Sequence, residues 1–383
     1  MLDARNRAAS VSARPREQSC QTGAQATRLD HFAANGKDRP ACTSLDAFLH
    51  GARFHANDPA ALGDMLRALV ERGDDQLPLP ARGETLARWR ALAAVAACDL
   101  GLVKLFEGHT DALAILAELQ GPTPQTHSRW AVWAAEPPDA RVSATQTGAT
   151  SLRLNGTKAW CSGAGVVSDA LVTVWLDGEP VLAAVAMDQA SIAIDTSKWQ
   201  AVGMQATASA DVTFDQTSAT RVGAAHAYVH RPGFWHGGAG IAACWYGAAA
   251  QIGQMLRDAS VQYADAHRLA HLGAVEVALA GAAAVLRETA AYIDANPHAD
   301  AQREAMRARL AVEAAATAVM HHATRTLGAG PLCRNARFAR ALADLPVFLR
   351  QSHAERDLAA LGELTVKAGT DTRLDAGGSP WML

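Results

Sequence analysis

Leu152-Arg-Leu-Asn-Gly-Thr-Lys-Ala-Trp-Cys-Ser-Gly-Ala-Gly165 alternates apolar and polar residues on both sides of Asn155-Gly156. A period of two puts one set of side chains on one face of a strand, and Asn-Gly readily takes the positive φ angles of a tight turn. The stretch is therefore expected to be a β-hairpin turning at Asn155-Gly156. Strand signals continue outward from it. Ala170–Trp175 is an apolar run of buried-strand character, Asp177-Gly178 turns it into Val181–Met187, and Asp211–Asp215 alternates again. Residues 127–232 are expected to form an all-β domain.

Helical patterning flanks this section. From Ser44 to Leu119 apolar residues recur at spacings of three and four, as in Leu102, Leu105, His109, Leu113 and Leu116, until Gly121-Pro122 ends the region. Residues 44–126 are expected to be an N-terminal helical domain. Helix returns near Gly238 and holds to about Val366, with breaks near 267–272, Asn296-Pro297 and Gly328–Pro331. Residues 233–383 are expected to be a helical bundle of four long helices. Residues 1–43 are poor in large apolar groups and read as a disordered tail without the apolar core of a secretory signal.

With 35 basic and 38 acidic residues among 383, the formal net charge is -3. That balance argues against a nucleic-acid partner. No uncharged apolar run has the length of a membrane span, and the six cysteines form no CxxC pair. A cytoplasmic protein with reduced thiols is expected.

Three segments in order, within a helix–β–helix plan, resemble the acyl-CoA dehydrogenase superfamily over about Ser44 to Gly362. The first is the Asn-Gly-Thr-Lys-Ala-Trp160 stretch with Ser162 two residues on. The second is Trp133-Ala-Ala-Glu-Pro137, and the third runs from Val202-Gly-Met204 to Phe214. The resemblance implies a mostly α, α+β fold: an N-terminal helical domain, a middle β-barrel domain and a C-terminal four-helix bundle. It implies that Trp133, Ala135, Trp160 and Ser162 bind a flavin, with FAD as the family's usual form and FMN as the alternative. It also implies a homodimer or homotetramer and a small-molecule substrate of acyl-CoA type, oxidised at its α,β carbons. The electron acceptor would be a protein partner or oxygen.

The catalytic base departs from the pattern. The family's glutamate falls on Gln351 in Leu349-Arg-Gln-Ser-His353, and a carboxamide cannot take a proton from carbon. The second place where members carry a base, Arg231–Gly238, has no carboxylate. The family's cofactor-holding Arg-x-x-Phe-Gly segment is missing near Ala264–Leu272. Glu355 is a substitute base if the last helix is shifted, with Glu107 and Glu136 behind it. His109 and His353 lie on apolar helix stripes, where a histidine is either a satisfied core residue or a proton shuttle. The flavin monooxygenase branch of the superfamily has histidines in broadly similar places. Two further readings therefore stand beside the dehydrogenase: a flavin monooxygenase or oxidase using His109 and His353, and a non-catalytic flavin-binding subunit. Trp235, Trp245 and Tyr246 read as either cavity wall or core. Arg334, Arg337 and Arg340 read as helix-surface charge.

Overall fold

The structure, a computed structural model, describes residues 44–370. The tail expected over 1–43, including Cys20 and Cys42, lies outside them. Four helices come first: α1 (Leu45–Gly51), α2 (Pro59–Glu71), α3 (Thr85–Cys98) and α4 (Leu100–Glu118). Side-chain caps fix several starts. Ser44 accepts from Ala47 N, Asp58 from Ala60 N with Pro59 in the first turn, and Asp99 from Leu102 N.

Seven strands follow: β1 (Trp130–Trp133), β2 (Val142–Gln146), β3 (Ser151–Cys161), β4 (Asp169–Leu176), β5 (Glu179–Ala186), β6 (Ile192–Asp195) and β7 (Ala210–Val222). Strands β4, β2, β3, β7 and β5 pair in that order, and β5 pairs back to β4, closing a five-stranded barrel. Strand β1 runs parallel to β4 with Trp133 opposite Val172, and β6 runs antiparallel to β7.

The expected hairpin at Asn155-Gly156 is not formed. Strand β3 runs straight through both residues, and the pairing shifts between Leu154 and Gly156. Gly156 has φ +120°, and a Cβ there would sit 2.3 Å from Arg141 O. The glycine serves a bulge where β2 crosses closely, and the Asn155 carboxamide oxygen accepts from the Gln216 backbone at 3.0 Å. The Asp177-Gly178 turn forms as expected, with φ 51° and 86°, and joins β4 to β5.

After α5 (Ala227–His230) come three long helices, α6 (Gly233–Gln262), α7 (Ala266–Ala295) and α8 (Gln302–Leu327). They are followed by α9 (Ala329–Arg334), α10 (Ala336–Leu349) and α11 (Glu355–Thr370). The expected fourth long helix is thus two shorter ones, with α10 packed on α6 and α11 on α8. The first break falls at Tyr263–Asp265, ahead of the expected 267–272, because Asp265 caps α7 through Arg268 N at 2.8 Å. Helix α7 is long and apolar enough to cross a membrane by length and composition, with a mean hydropathy of 1.8 over its most apolar window. The sequence criterion misses it because Glu276 and Arg287 interrupt the run. Here it packs against α6 and α8.

The main hydrophobic core runs through the first helices, the barrel and the bundle, and a second, smaller cluster joins α4 to β1, β4 and β5 around Ile115, Trp130 and Leu171. Backbone contact is close where α3 crosses α6: a Cβ on Gly247 would lie 2.1 Å from Ala93 O. Asp294 near the end of α7 accepts from Thr85 N and Thr85 Oγ1 at the start of α3, at 3.0 and 2.6 Å.

Candidate active site

Between α4, the barrel end carrying β1 and β3, and helices α6, α8 and α10 lies a cavity of about 740 Å³. That is the size of a site for a cofactor with a small substrate. Its barrel wall is built by the sequence motifs. Trp133, Ala134 and Ala135 line it from the end of β1, and Trp160 and Ser162 from the end of β3. The two motifs are tied together. The Trp133 indole N–H donates to Ser162 O at 3.2 Å. The fully buried Lys158 Nζ donates to Glu136 Oε1 at 3.1 Å and to Thr173 Oγ1 at 2.7 Å. Burial pulls the Lys158 ammonium below its usual range, and Glu136 opposes that. Glu136, a candidate base in the sequence, is therefore a structural counter-ion.

A second pairing shift in β3 spans Lys158–Cys161, where Trp160 has φ +59°. A bulky residue seldom adopts that conformation. It turns the indole out of the barrel, leaving Trp160 59% exposed on the cavity wall. Beside it, Ser162 Oγ shares a hydrogen bond with Ser209 Oγ at 2.8 Å, and Ser209 with Thr207 Oγ1 at 3.0 Å. A flat aromatic face flanked by hydroxyls suits a flavin ring, an apolar plane with polar edges. The residues present fit the group that the sequence implies.

The opposite wall comes from the break between α10 and α11. Ser352 Oγ accepts from Ala354 N at 3.3 Å and Asp357 Oδ2 from His353 N at 3.0 Å, so the chain starts a new helix. The break delivers Gln351 and His353 to the cavity. Arg309 on α8 holds it, donating to Gln351 O at 2.9 Å and to Gly238 O at 2.8 Å, with its guanidinium 5.1 Å from the Trp245 ring centre. Gln351 Oε1 is buried and has no hydrogen-bond partner among the described residues. His353 is exposed, with Nδ1 3.4 Å from Asp357 Oδ1.

No family model matches the chain, and no curated protein does. Solved structures do match. TdsC from Paenibacillus sp. A11-2, in a complex with FMN and indole, superposes with a TM-score of 0.64 at 17% identity, over 81% of this chain and 96% of that one. Methanesulfinate monooxygenase MsuC from Pseudomonas fluorescens gives 0.62 at 17% identity, over 83% and 98%. The 3-HSA hydroxylase from Rhodococcus sp. RHA1 gives 0.63 at 17%, over 84% and 96%. The chain has the acyl-CoA dehydrogenase fold. In that fold it is divergent.

Several expected residues sit elsewhere in this fold. His109 does not line the cavity. It is buried, its Nδ1 accepts from Trp130 N at 3.0 Å, and its Nε2 lies 3.2 Å from Asp75 Oδ2. The stripe that carries it is a packing face. His353 is not on a helical stripe with Leu345, Leu349 and Leu361, because the helix is broken there. Glu355 is exposed in the first turn of α11, outside the cavity. Trp235 lines the cavity, whereas Trp245 is buried behind it and Tyr246 does not reach it. Arg337 donates to Ala97 O and Arg340 pairs with Asp99, tying α10 to the α3–α4 junction. Cys161 is a buried packing residue.

The cavity also holds charges that lie outside the three motif segments. Lys104, Glu107 and Asp111 face it from one side of α4. The sequence offers Glu107 as a fallback base, and the spacings of three and four that set Lys104 and Asp111 on the same face of α4 are the signal for the other two. Lys104 Nζ lies 3.3 Å from Glu107 Oε2. Burial raises the Glu107 carboxyl, Lys104 opposes the rise and Asp111 adds to it. Arg231, just before α6, is buried, donates to Glu118 Oε2 at 2.7 Å and lies 4.0 Å from Asp111.

Proposed function

We propose that this chain is a flavin-dependent monooxygenase that acts on a small molecule, and that FMN is its flavin. The observation that carries the reading is Gln351. The segment where an acyl-CoA dehydrogenase keeps its proton-abstracting glutamate reaches the cavity with a carboxamide instead. Glu355, the nearby substitute, lies outside. Solved structures similar to this one include a TdsC complex with FMN, a methanesulfinate monooxygenase and a 3-HSA hydroxylase. FMN is favoured over FAD because α6 and α7 are joined by only three residues, Tyr263–Asp265, where the family's dinucleotide-holding segment would be.

Trp133, Ala135, Trp160 and Ser162 would hold the flavin ring. When bound and reduced, that group supplies two electrons to dioxygen, so that one oxygen atom enters the substrate and the other leaves as water. The chain's own contribution is placement and proton handling. The Ser162 hydroxyl can donate to a ring nitrogen once Ser209 turns its own proton from Thr207 to Ser162. The Gln351 side chain offers a donor and a free acceptor and can carry no charge into the cavity. His353, held by Asp357, can pass a proton to solvent.

The test is reduction of the FMN-loaded protein, mixing with oxygen-18 dioxygen and a panel of small aromatic and sulfur compounds, and mass spectrometry of the products. Incorporation of one labelled atom is expected. Anaerobic bleaching of the flavin by an acyl-CoA would return the reading to a dehydrogenase. Bound flavin with neither outcome would make the chain a non-catalytic subunit.

A further inference from the structure

Asp344 on α10 is buried, and its Oδ1 accepts from Met204 N at 2.6 Å. The backbones approach closely there. A Cβ on Gly203 would overlap Ala343 O, so α10 lies directly against the Gly203–Met204 segment. Met204 is held at φ 58°, a conformation that is strained for a residue with a side chain. That conformation aims a carbonyl. Met204 O accepts from Thr207 N at 3.1 Å and from Thr207 Oγ1 at 2.8 Å.

A carbonyl oxygen only accepts, so the Thr207 hydroxyl proton is committed to it. Ser209 Oγ, 3.0 Å from Thr207 Oγ1, then donates to Thr207, and Ser162 Oγ, 2.8 Å from Ser209 Oγ, donates to Ser209. Each hydroxyl has one proton, so the whole chain runs in one direction. Met204, Thr207, Ser209 and Ser162 all line the cavity. Ser162 therefore turns lone pairs toward it and keeps its proton on Ser209. With Met204 O out of place, Thr207 is free to donate to Ser209, Ser209 to Ser162, and Ser162 into the cavity. The backbone couples the same groups, because Gly163 N donates to Thr207 O at 2.8 Å.

We propose that Asp344 is a positioning residue for the flavin wall, and that by holding Met204 it sets which way the Ser162 hydroxyl points. This rests on the flavin reading and names the group that governs its hydroxyl side. Asp344 acts only through Met204, Thr207 and Ser209. An ionised acceptor holds an N–H about twice as strongly as a neutral one. Burial raises the Asp344 pKa to about 6, where the Met204 bond opposes the rise, Asp99 at the start of α4 adds to it and Arg340 opposes it. Arg337 borders the same small pocket, and α6 brings only the uncharged Ala248, Gln251 and Met255. The hold on Met204 thus tightens as pH rises through about 6.

The test is NMR of the flavin-free protein labelled with nitrogen-15 in methionine and tryptophan, titrated through about pH 6. The Met204 amide reads the Asp344 end. The Trp133 indole N–H, which donates to Ser162 O at 3.2 Å, reads the cavity end. Both signals are expected to shift with one shared midpoint, and to stay fixed in Asp344→Asn, which keeps an acceptor without the charge. A Trp133 signal that stays still while Met204 moves would overturn the proposal, and needs no variant to fold. A Trp133 shift that survives Asp344→Asn would overturn it as well. Reduced flavin carries an N–H where oxidised flavin offers a lone pair. Asp344→Ala is therefore expected to raise affinity for oxidised relative to reduced FMN by about two- to ten-fold, the worth of the Ser209–Thr207 bond that no longer has to break. Asp344→Asn should keep the ratio of the unaltered protein. A purely structural role predicts equal losses for both forms, and an unchanged ratio in Asp344→Ala would count against the proposal. Failure of the unaltered protein to retain FMN would sink the flavin reading alone, because the link from Asp344 to Ser162 is read on the flavin-free chain.

Discussion

The backbone N–H of Trp130 donates to His109 Nδ1 at 3.0 Å, and the far nitrogen of the same ring reaches Asp75 at 3.2 Å. One histidine thus joins α4, β1 and the turn after α2. A neutral ring that accepts at Nδ1 has its proton on Nε2, aimed at the carboxylate. His109→Ala would strand the buried Trp130 N–H and leave the buried Asp75 carboxylate with the Gln76 amide as its remaining donor among the described residues. A loss of about 2–4 kcal/mol is expected in urea denaturation, with turnover per bound flavin unchanged. Retained stability with lost turnover would instead restore His109 to the chemistry.

Trp160 makes the opposite prediction. At 59% exposed it contributes little to packing, and its φ of +59° is strained. Trp160→Ala is expected to change the melting temperature by no more than about 2 °C, within the small effect usual for surface substitutions. The same change should weaken FMN binding by about ten-fold or more, read by flavin fluorescence titration. Unaltered flavin affinity would remove Trp160 from the cofactor wall.

Much of the fold is legible because its signals are local. The Asp177-Gly178 hairpin and the three motif segments lie within a few residues of what they determine, whereas the Asp265 cap moves a helix break that periodicity alone puts at 267–272. Asn155-Gly156 misleads for a physical reason: positive φ suits a bulge as well as a turn, and only the crossing strand at Arg141 decides between them. The site is legible on its barrel wall, where Trp133, Ala135, Trp160 and Ser162 all line the cavity. On the helical side Gln351 and His353 line the cavity, delivered by a helix break rather than by a stripe. Arg231 and Arg309 stay hidden because their partners, Glu118 and Gly238, are far away in sequence.

Gly156→Ala tests the bulge. A methyl group would need φ +120° and would collide with Arg141 O at 2.3 Å. Destabilisation of about 3 kcal/mol or more is expected, measured by chemical denaturation. A hairpin turn with a free tip would lose far less.

Asp344 gives a pH signature. Its carboxylate accepts from Met204 N at 2.6 Å, yet burial raises its pKa to about 6, with Asp99 adding to the rise and Arg340 opposing it. In the unfolded chain the same group titrates near about 3.9. The folded state therefore holds the proton more tightly, and its contribution to stability is complete below about pH 4. That contribution falls as pH rises through 6, leaving a buried charge above it. Asp344→Asn keeps an acceptor for Met204 and removes the charge. The variant is expected to exceed the unaltered protein by about 1–2 kcal/mol at pH 8, with the gap closing by about pH 4. Denaturation curves at the two pH values check this, and a gap that widens on acidification would reverse the sign.

Lys158 and Glu136 join the two motif segments beneath the proposed flavin wall. Lys158 is fully buried, while the Glu136 side chain is 29% exposed and its Oε2 accepts from Trp175 Nε1 at 3.1 Å. Removing the cation alone leaves a carboxylate that water can partly solvate. Lys158→Met is therefore expected to cost about 2–4 kcal/mol, at or below the usual loss for a broken buried pair. Glu136→Gln should cost more than its exposure suggests, because it leaves an ammonium with no water and only Thr173 as a strong acceptor. Thermal denaturation of the two single variants and the double variant separates these terms. A double variant less stable than both singles would show that the pair does not act as one unit.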